Sequence, residues 1–295
     1  QQMLPHEVHL LENLRFHKGE TENDPVFSAY LAEHADIYIN DAFGTAHRSH
    51  ASNMGVSAII NETAIGFLME KELKYLDDIM KAPEQPCVVI LGGAKIGDKI
   101  TLIHNLMEKA DAILIGGAMA FTFLKVQGKN VGASLIDQDN LNTAEDILSL
   151  AEKTNTNIVL PVDVVAGPKL SDDTTWRIAN LDQLKTGEAG YDIGPETTME
   201  FEMILSNAKT IFWNGPLGVS EIPAFSTGTQ AIASAVIDQT EEGAISIIGG
   251  GDTASALKQY GLEGGFTHIS TGGGASLQLM SGKQLPALEA LQEYA

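Results

Sequence analysis

Five times along the chain, a short apolar or β-branched run ends in a turn of small residues that leads toward a helix-like segment. Val88-Val89-Ile90-Leu91 enters Gly92-Gly93-Ala94-Lys95, and Ile113-Leu114-Ile115 enters Gly116-Gly117-Ala118. Ile211-Phe212-Trp213 enters Asn214-Gly215-Pro216, and Ile245-Ser246-Ile247-Ile248 enters Gly249-Gly250-Gly251-Asp252-Thr253. The last run, Thr267-His268-Ile269-Ser270, enters Thr271-Gly272-Gly273-Gly274. Near-continuous apolar runs bounded by turns are the pattern of strands buried on both faces, hence of a parallel sheet. Helical spacing between them, as in Ile100, Ile103, His104 and Met107 or Ile232, Ala235 and Val236, completes a doubly wound α/β pattern. A sixth strand is predicted over residues 157–165, and Tyr38-Ile39-Asn40-Asp41 resembles a strand end.

In such a sheet every strand-to-helix turn lies at the carboxyl edge, so the turns should converge on one crevice. Glycine lets backbone approach a ligand closely, and the following helix points free N–H groups at the same place. A crevice lined with free amides binds anions, phosphates above all.

With 295 residues, the chain has room for about two domains at roughly 150 residues each. Residues 64–81 read as one long amphipathic helix with Ile65, Leu68, Leu73, Leu76 and Ile79 on its apolar side, stopped by Pro83 and Pro86. The excess of 39 acidic over 18 basic residues gives a net charge of −21, which argues against nucleic acid or an anionic membrane as partner. The single cysteine, Cys87, excludes a disulfide framework and suits a reducing, cytoplasmic setting. No apolar run reaches the ~18 residues of a membrane span. The chain opens Gln1-Gln2-Met3 and is already in structured-looking sequence by Leu10, as a fragment of a longer protein would.

Among few arginines, Arg15 and Arg48 sit in unusual clusters, Glu12-Asn13-Leu14-Arg15-Phe16-His17 and Ala46-His47-Arg48-Ser49-His50. In so acidic a chain they suggest a local positive patch for a phosphate or carboxylate, against the plainer reading of surface ion pairs. His47 and His50 lack a carboxylate in step, so substrate contact or structure is favoured over a metal pair. Gly92-Gly93-Ala94-Lys95-Ile96-Gly97-Asp98-Lys99 is no P-loop, because Asp98 stands where the lysine should follow the second glycine. Lys95 and Lys99 can nevertheless set two ammonium groups over a phosphate chain. Gly249-Gly250-Gly251-Asp252-Thr253-Ala254 satisfies G-x-G-x-x-A, which raises a nicotinamide-dependent oxidoreductase, but no carboxylate lies between Glu263 and Glu289 to hold the ribose. Asp252 is either a plain N-cap or a ligand for Mg²⁺. No base pairs with a nucleophile on these turns, which suits phosphoryl transfer to an acceptor that carries no proton.

Read together, these segments resemble phosphoglycerate kinase. The resemblance runs through the two arginine clusters, Asn40-Asp41-Ala42-Phe43-Gly44, Gly92-Gly93-Ala94-Lys95, Phe121-Thr122-Phe123-Leu124, Trp213-Asn214-Gly215-Pro216, Gly249-Gly250-Gly251-Asp252-Thr253 and Ser270-Thr271-Gly272-Gly273-Gly274-Ala275-Ser276, in family order. It implies a monomeric enzyme that moves a phosphoryl group between 1,3-bisphosphoglycerate and ADP with Mg²⁺, giving 3-phosphoglycerate and ATP. It also implies two Rossmann-like three-layer domains with parallel sheets, the N-terminal one incomplete, that close over a cleft. The expected division is 1–65 for the remainder of the phosphoglycerate-binding domain, 66–82 for an interdomain helix, 83–280 for the nucleotide-binding domain, and 281–295 for a tail returning to the first domain. By residue match, Arg15 and Arg48 would hold the phosphoglycerate, and Lys95 and Lys99 the transferring phosphoryl and nucleotide phosphates. Gly93, Ala94, Gly117, Asn214 and Pro216 would line the nucleotide site, with Glu221 at the ribose. Asp252 would hold the metal beside Gly250, Gly251 and Thr253, and Gly272, Gly273 and Gly274 would offer amides to the transition state. Ala118 replaces a usual third glycine, Ser220 replaces a frequent aromatic before Glu221, and the family's opening substrate motifs have no counterpart here. The chain by itself is therefore expected to be inactive or nearly so. The alternatives are a non-catalytic nucleotide-binding fragment or the NAD-dependent oxidoreductase.

Overall fold

The structure, a computed structural model, describes residues 4–291. The chain divides into two compact units, Gln1–Lys71 with Gln284–Ala295, and Glu72–Lys283. Of the tail segment 281–295, residues 292–295 lie outside the described residues, as do Gln1, Gln2 and Met3.

The first unit holds β1 (Ile37–Asn40) and β2 (Glu62–Ile65), paired in parallel with Ile37 opposite Glu62. Ala64 and Ile65 thus belong to a strand, which corrects the expected helix over 64–81. The helix starts later, at Phe67–Leu73, and continues as a π-helical turn, Lys74–Ile79. Its start is set by Asp41, whose Oδ1 accepts the Met69 N–H at 2.9 Å. The buried line is Met69, Glu72, Leu73, Leu76 and Met80, while Leu68 is exposed.

The second unit is built on a parallel sheet of six strands. These are β3 (Cys87–Leu91), β4 (Ala112–Ile115), β5 (Asn157–Val159) and, after an inserted sheet, β9 (Thr210–Asn214), β10 (Ile245–Gly249) and β11 (His268–Ile269). The inserted sheet is antiparallel, with β6 (Asp163–Gly167) between β7 (Arg177–Asn180) and β8 (Ala189–Ile193). The expected single strand over 157–165 is therefore two strands in different sheets. Leu160-Pro161-Val162 separates them, and proline removes the donor that a continuing ladder would need.

Every residue of β3, β4 and β9 is buried, as the continuous apolar runs require. Helices cover both faces of the sheet, and the largest core cluster gathers Trp213, Phe201, Leu217, Ile232 and Leu257. In the helix Ile100–Met107 the buried stripe is Leu102, Ile103, Leu106 and Met107, with the expected His104 turned outward. The fold is the mixed α/β, parallel-sheet architecture that the glycine rhythm predicts.

Candidate functional site

The order across the large sheet is β11-β10-β9-β3-β4-β5. The chain winds outward from β3 to β5 and then restarts beside β3 at β9, so the topological switch point lies between β3 and β9. All five glycine turns follow adjacent strands and lie at one edge. Leu91 pairs with both Asn214 and Ile115, and Gly249 pairs with Asn214, so four of the strands end abreast.

Hydrogen bonds join the turns into one layer. The Gly92 N–H donates to the Asn214 carbonyl at 3.0 Å, Gly93 to Pro216 at 3.1 Å, and Gly117 to Leu217 at 2.8 Å. Met119 returns a bond to the Gly93 carbonyl at 3.0 Å. Thr253 Oγ1 accepts the Gly215 N–H at 2.7 Å and donates to the Gly249 carbonyl at 3.3 Å. Such backbone-to-backbone approach leaves no room for side chains. At Gly117, with φ of +64°, a Cβ would sit 2.6 Å from the Gly93 nitrogen.

Two lysines enter this layer differently. Lys95 is exposed on the turn. Lys99 closes the short turn Gly97–Lys99 and is partly buried, with its Nζ donating to Asn214 Oδ1 and, at 3.4 Å, to the Asn214 carbonyl. Burial pushes its ammonium down to about 8, while the nearby carboxylates of Asp252 and Asp98 favour the charged form. Lys99 and Asp252 therefore share one electrostatic environment, although they come from turns about 150 residues apart. Asp252 is exposed in the first turn of the helix Gly251–Gln259, entered through Gly250 at φ of +89°. Ala94 and Gly251 are exposed, Gly93, Gly250 and Pro216 are half-buried, and Asn214 is buried. Glu221 is exposed beyond Pro216, and the Ser220 hydroxyl reaches its Oε2 at 3.5 Å.

The last turn is braced from below. Buried Glu72 accepts from the Thr271 N–H at 2.8 Å and the Thr271 hydroxyl at 2.9 Å, and pairs with His268 Nε2 at 2.9 Å. Burial alone would raise the Glu72 pKa, but hydrogen bonds from His268, Thr271 and Ser270 hold it below the ordinary carboxylate range. Gly272 spends its N–H on Ser270 Oγ at 3.1 Å. Among the described residues no acceptor takes the amides of Gly273 and Gly274.

In the first unit, Arg15 sits in the turn Leu14–Phe16, whose cap Asn13 Oδ1 accepts the Arg15 N–H at 3.0 Å. Arg48 is bonded through its backbone to Thr45 at 2.9 Å and His50 at 2.9 Å, and both guanidinium groups are exposed. Burial and the charges of Arg48, His50 and Arg15 lower the His47 pKa, and the same two arginines act on His50. The two sequence clusters thus share one electrostatic environment. Its counterweight is buried Glu20, which accepts from Ser52 N at 3.0 Å and Ser52 Oγ at 2.6 Å and lies 3.7 Å from His50 Nδ1.

The family profile described as phosphoglycerate kinase matches residues 1–283. This chain belongs to the phosphoglycerate kinase family. It is 53% identical over 286 residues to the phosphoglycerate kinase of Thermosipho africanus, which covers 97% of this chain and 71% of that protein. It is 51% identical to that of Prosthecochloris aestuarii, covering 97% and 72%. The solved phosphoglycerate kinase of Coxiella burnetii superposes with a TM-score of 0.90 at 41% identity, over 96% of this chain and 72% of that one. That of Pyrococcus horikoshii gives 0.78 at 32%, over 96% and 73%. Membership of this kinase family sets the oxidoreductase alternative aside.

Sequence reasoning missed the supports of the phosphoglycerate kinase turns. Glu72 carried a readable signal, a carboxylate set among Met69, Leu73 and Leu76 on the apolar face of a helix. Tyr260, which reaches Ser220 at 3.1 Å, had none.

Proposed function

We propose that the residues of this chain serve the phosphoglycerate kinase reaction, reversible Mg²⁺-dependent transfer of a phosphoryl group between the acyl phosphate of 1,3-bisphosphoglycerate and ADP, giving 3-phosphoglycerate and ATP, and that the chain by itself binds ligands with little or no turnover. The observation that carries this reading is the bonded layer of glycine turns at the switch point, with Lys99 held against Asn214 inside it. In the reverse direction a carboxylate oxygen of 3-phosphoglycerate attacks the terminal phosphorus of ATP, the bond from that phosphorus to the bridging oxygen breaks, and ADP leaves with the electron pair. The acceptor is already ionised near neutral pH, so no general base is needed and catalysis reduces to positioning and charge neutralisation.

Each residue then has a task. Arg15 and Arg48 hold the anionic phosphoglycerate, the fork of each guanidinium matching phosphate or carboxylate oxygens. Lys95 and Lys99 neutralise phosphate charge. Gly93, Ala94, Gly117, Asn214 and Pro216 line the nucleotide, Glu221 accepts from the ribose hydroxyls, and Gly250, Gly251 and Thr253 shape the turn beside Asp252. Gly273 and Gly274 keep amides for developing negative charge, whereas Gly272 serves the turn itself.

Among the described residues no three His, Cys, Asp or Glu side chains gather to cage an ion. Asp252, an exposed carboxylate, would hold Mg²⁺ brought in by a nucleotide, an oxygen donor being suited to that hard cation. Bound there, Mg²⁺ would offset charge on the transferring phosphoryl group.

Calorimetric titration of the chain tests the assignment. MgADP should bind, and Lys99→Ala should weaken it at least tenfold while leaving 3-phosphoglycerate binding unchanged; Arg48→Ala should do the reverse. In a catalytically competent form of the protein, Lys95→Ala should cost on the order of 2–4 kcal/mol in kcat/KM, the scale of removing one preorganised charge partner. Equal binding of MgADP by the parent and the Lys99 variant would refute the reading.

A further inference from the structure

Glu221 lies in a loop that needs external support. The start of this loop is well tied: Thr229 Oγ1 accepts from Leu217 N at 3.1 Å and Gly218 N at 3.2 Å, and Val219 N donates to the Tyr191 carbonyl at 2.9 Å. Between Val219 and Phe225 the backbone-to-backbone bonds are internal, from Ile222 N to Val219 O at 3.0 Å and from Phe225 N to Ile222 O at 2.8 Å. The exception is Tyr260, the residue that closes the helix Gly251–Gln259. Its hydroxyl donates to the Ser220 carbonyl at 3.1 Å. Ser226 is itself buried and fixed, accepting from Gln230 Nε2 at 2.8 Å and donating to the Pro223 carbonyl at 3.0 Å.

The phenol therefore holds the start of the segment 220–226, Ser226 holds its end, and Glu221 is the carboxylate between them. The ring is half-buried, and burial, with the carboxylates of Asp192 and Glu221 nearby, raises its pKa. The hydroxyl therefore keeps the proton it donates. The same helix carries Asp252 and Thr253 in its first turn.

We propose that Tyr260 is a positioning residue for nucleoside recognition, stapling the Glu221 loop to the helix whose other end faces the phosphates, so that Glu221 meets the ribose hydroxyls pre-ordered. The proposal rests on the reading of Glu221 as the ribose contact given above. It predicts a specific loss. A loop with its staple cut still offers Glu221, but must order it at the moment of binding, and only ligands that use Glu221 feel that cost.

The test compares ADP with 2′,3′-dideoxy-ADP, each with Mg²⁺, by calorimetry on the full chain and on Tyr260→Phe, Ser226→Ala and Glu221→Gln. Tyr260→Phe keeps the ring and removes only the hydroxyl, and thermal unfolding of each variant checks that it folds. In the parent, ADP should bind more tightly than the dideoxy analogue. Tyr260→Phe should weaken ADP about three- to tenfold, the scale of one hydrogen bond, and leave the analogue within about twofold. Glu221→Gln should collapse the same ratio, and Ser226→Ala should shift it the same way by less. If Glu221→Gln collapses the ratio and Tyr260→Phe keeps it, or weakens both ligands equally, the positioning role is wrong. If Glu221→Gln also keeps the ratio, the ribose assignment fails and the proposal fails with it.

Discussion

Lys99 is the ammonium buried in the layer of glycine turns, held against Asn214. A lysine held near 8 by burial is charged at neutral pH but is close to releasing its proton. Its folded pKa lies below the ordinary 10.5, so the unfolded chain binds the extra proton between about pH 8 and 10.5, and this group makes stability rise with pH across that window. Below it the full cost of the buried ammonium remains, offset in part by Asn214, Asp98 and Asp252. A polyphosphate brought alongside reverses the balance and raises the pKa. MgADP binding at pH 8.5 should therefore take up protons, seen as a dependence of the binding enthalpy on the ionisation enthalpy of the buffer. Lys99→Met should abolish that uptake; an unchanged value would assign the proton elsewhere. The sequence showed Lys99 as one of two cations four residues apart. It could not show which was solvated and which buried, because that depends on Asn214, contributed by another strand.

The same division holds for whole elements. The strands followed by glycine turns are legible because their apolar runs and turn residues are local. The inserted sheet was not legible, because β6 to β8 alternate weakly and their partners lie far along the chain. One residue organises that region. Buried Asp163, at the start of β6, accepts from Glu196 N at 3.0 Å, Thr197 N at 2.8 Å and Thr197 Oγ1 at 2.7 Å, capping the helix Pro195–Leu205. The cap is more than thirty residues from the helix it serves, so no capping pattern beside Pro195 could announce it. Asp163→Ala removes a cap and strands buried donors. Together these should cost roughly 2–4 kcal/mol, measured as a lower urea midpoint with unchanged m-value, and Asp163→Asn should recover part of the loss. A change within error would mean the helix start is held by packing alone.

At the scale of the molecule, the two units differ in how completely their strands are covered. The second unit surrounds β3, β4 and β9 on both faces. In the first unit the parallel pair β1 and β2 leaves Ile37 and Ile39 at 57% and 62% exposure, unusual for parallel strands, and a two-stranded sheet is marginal by itself. Hydrogen exchange should therefore find the amides of β1 and β2 at least tenfold less protected than those of β3 and β9. Equal protection would show that the first unit unfolds only with the whole. The strands of the large sheet and the turns that follow them were within reach of the sequence, as was the family resemblance, since each depends on residues close together in the chain. Which turns touch, that Lys99 meets Asn214, that Glu72 lies under Thr271 and that Tyr260 reaches Ser220 were decided only by tertiary packing. Those contacts join residues 40 to 199 positions apart, a separation over which local propensity carries no information.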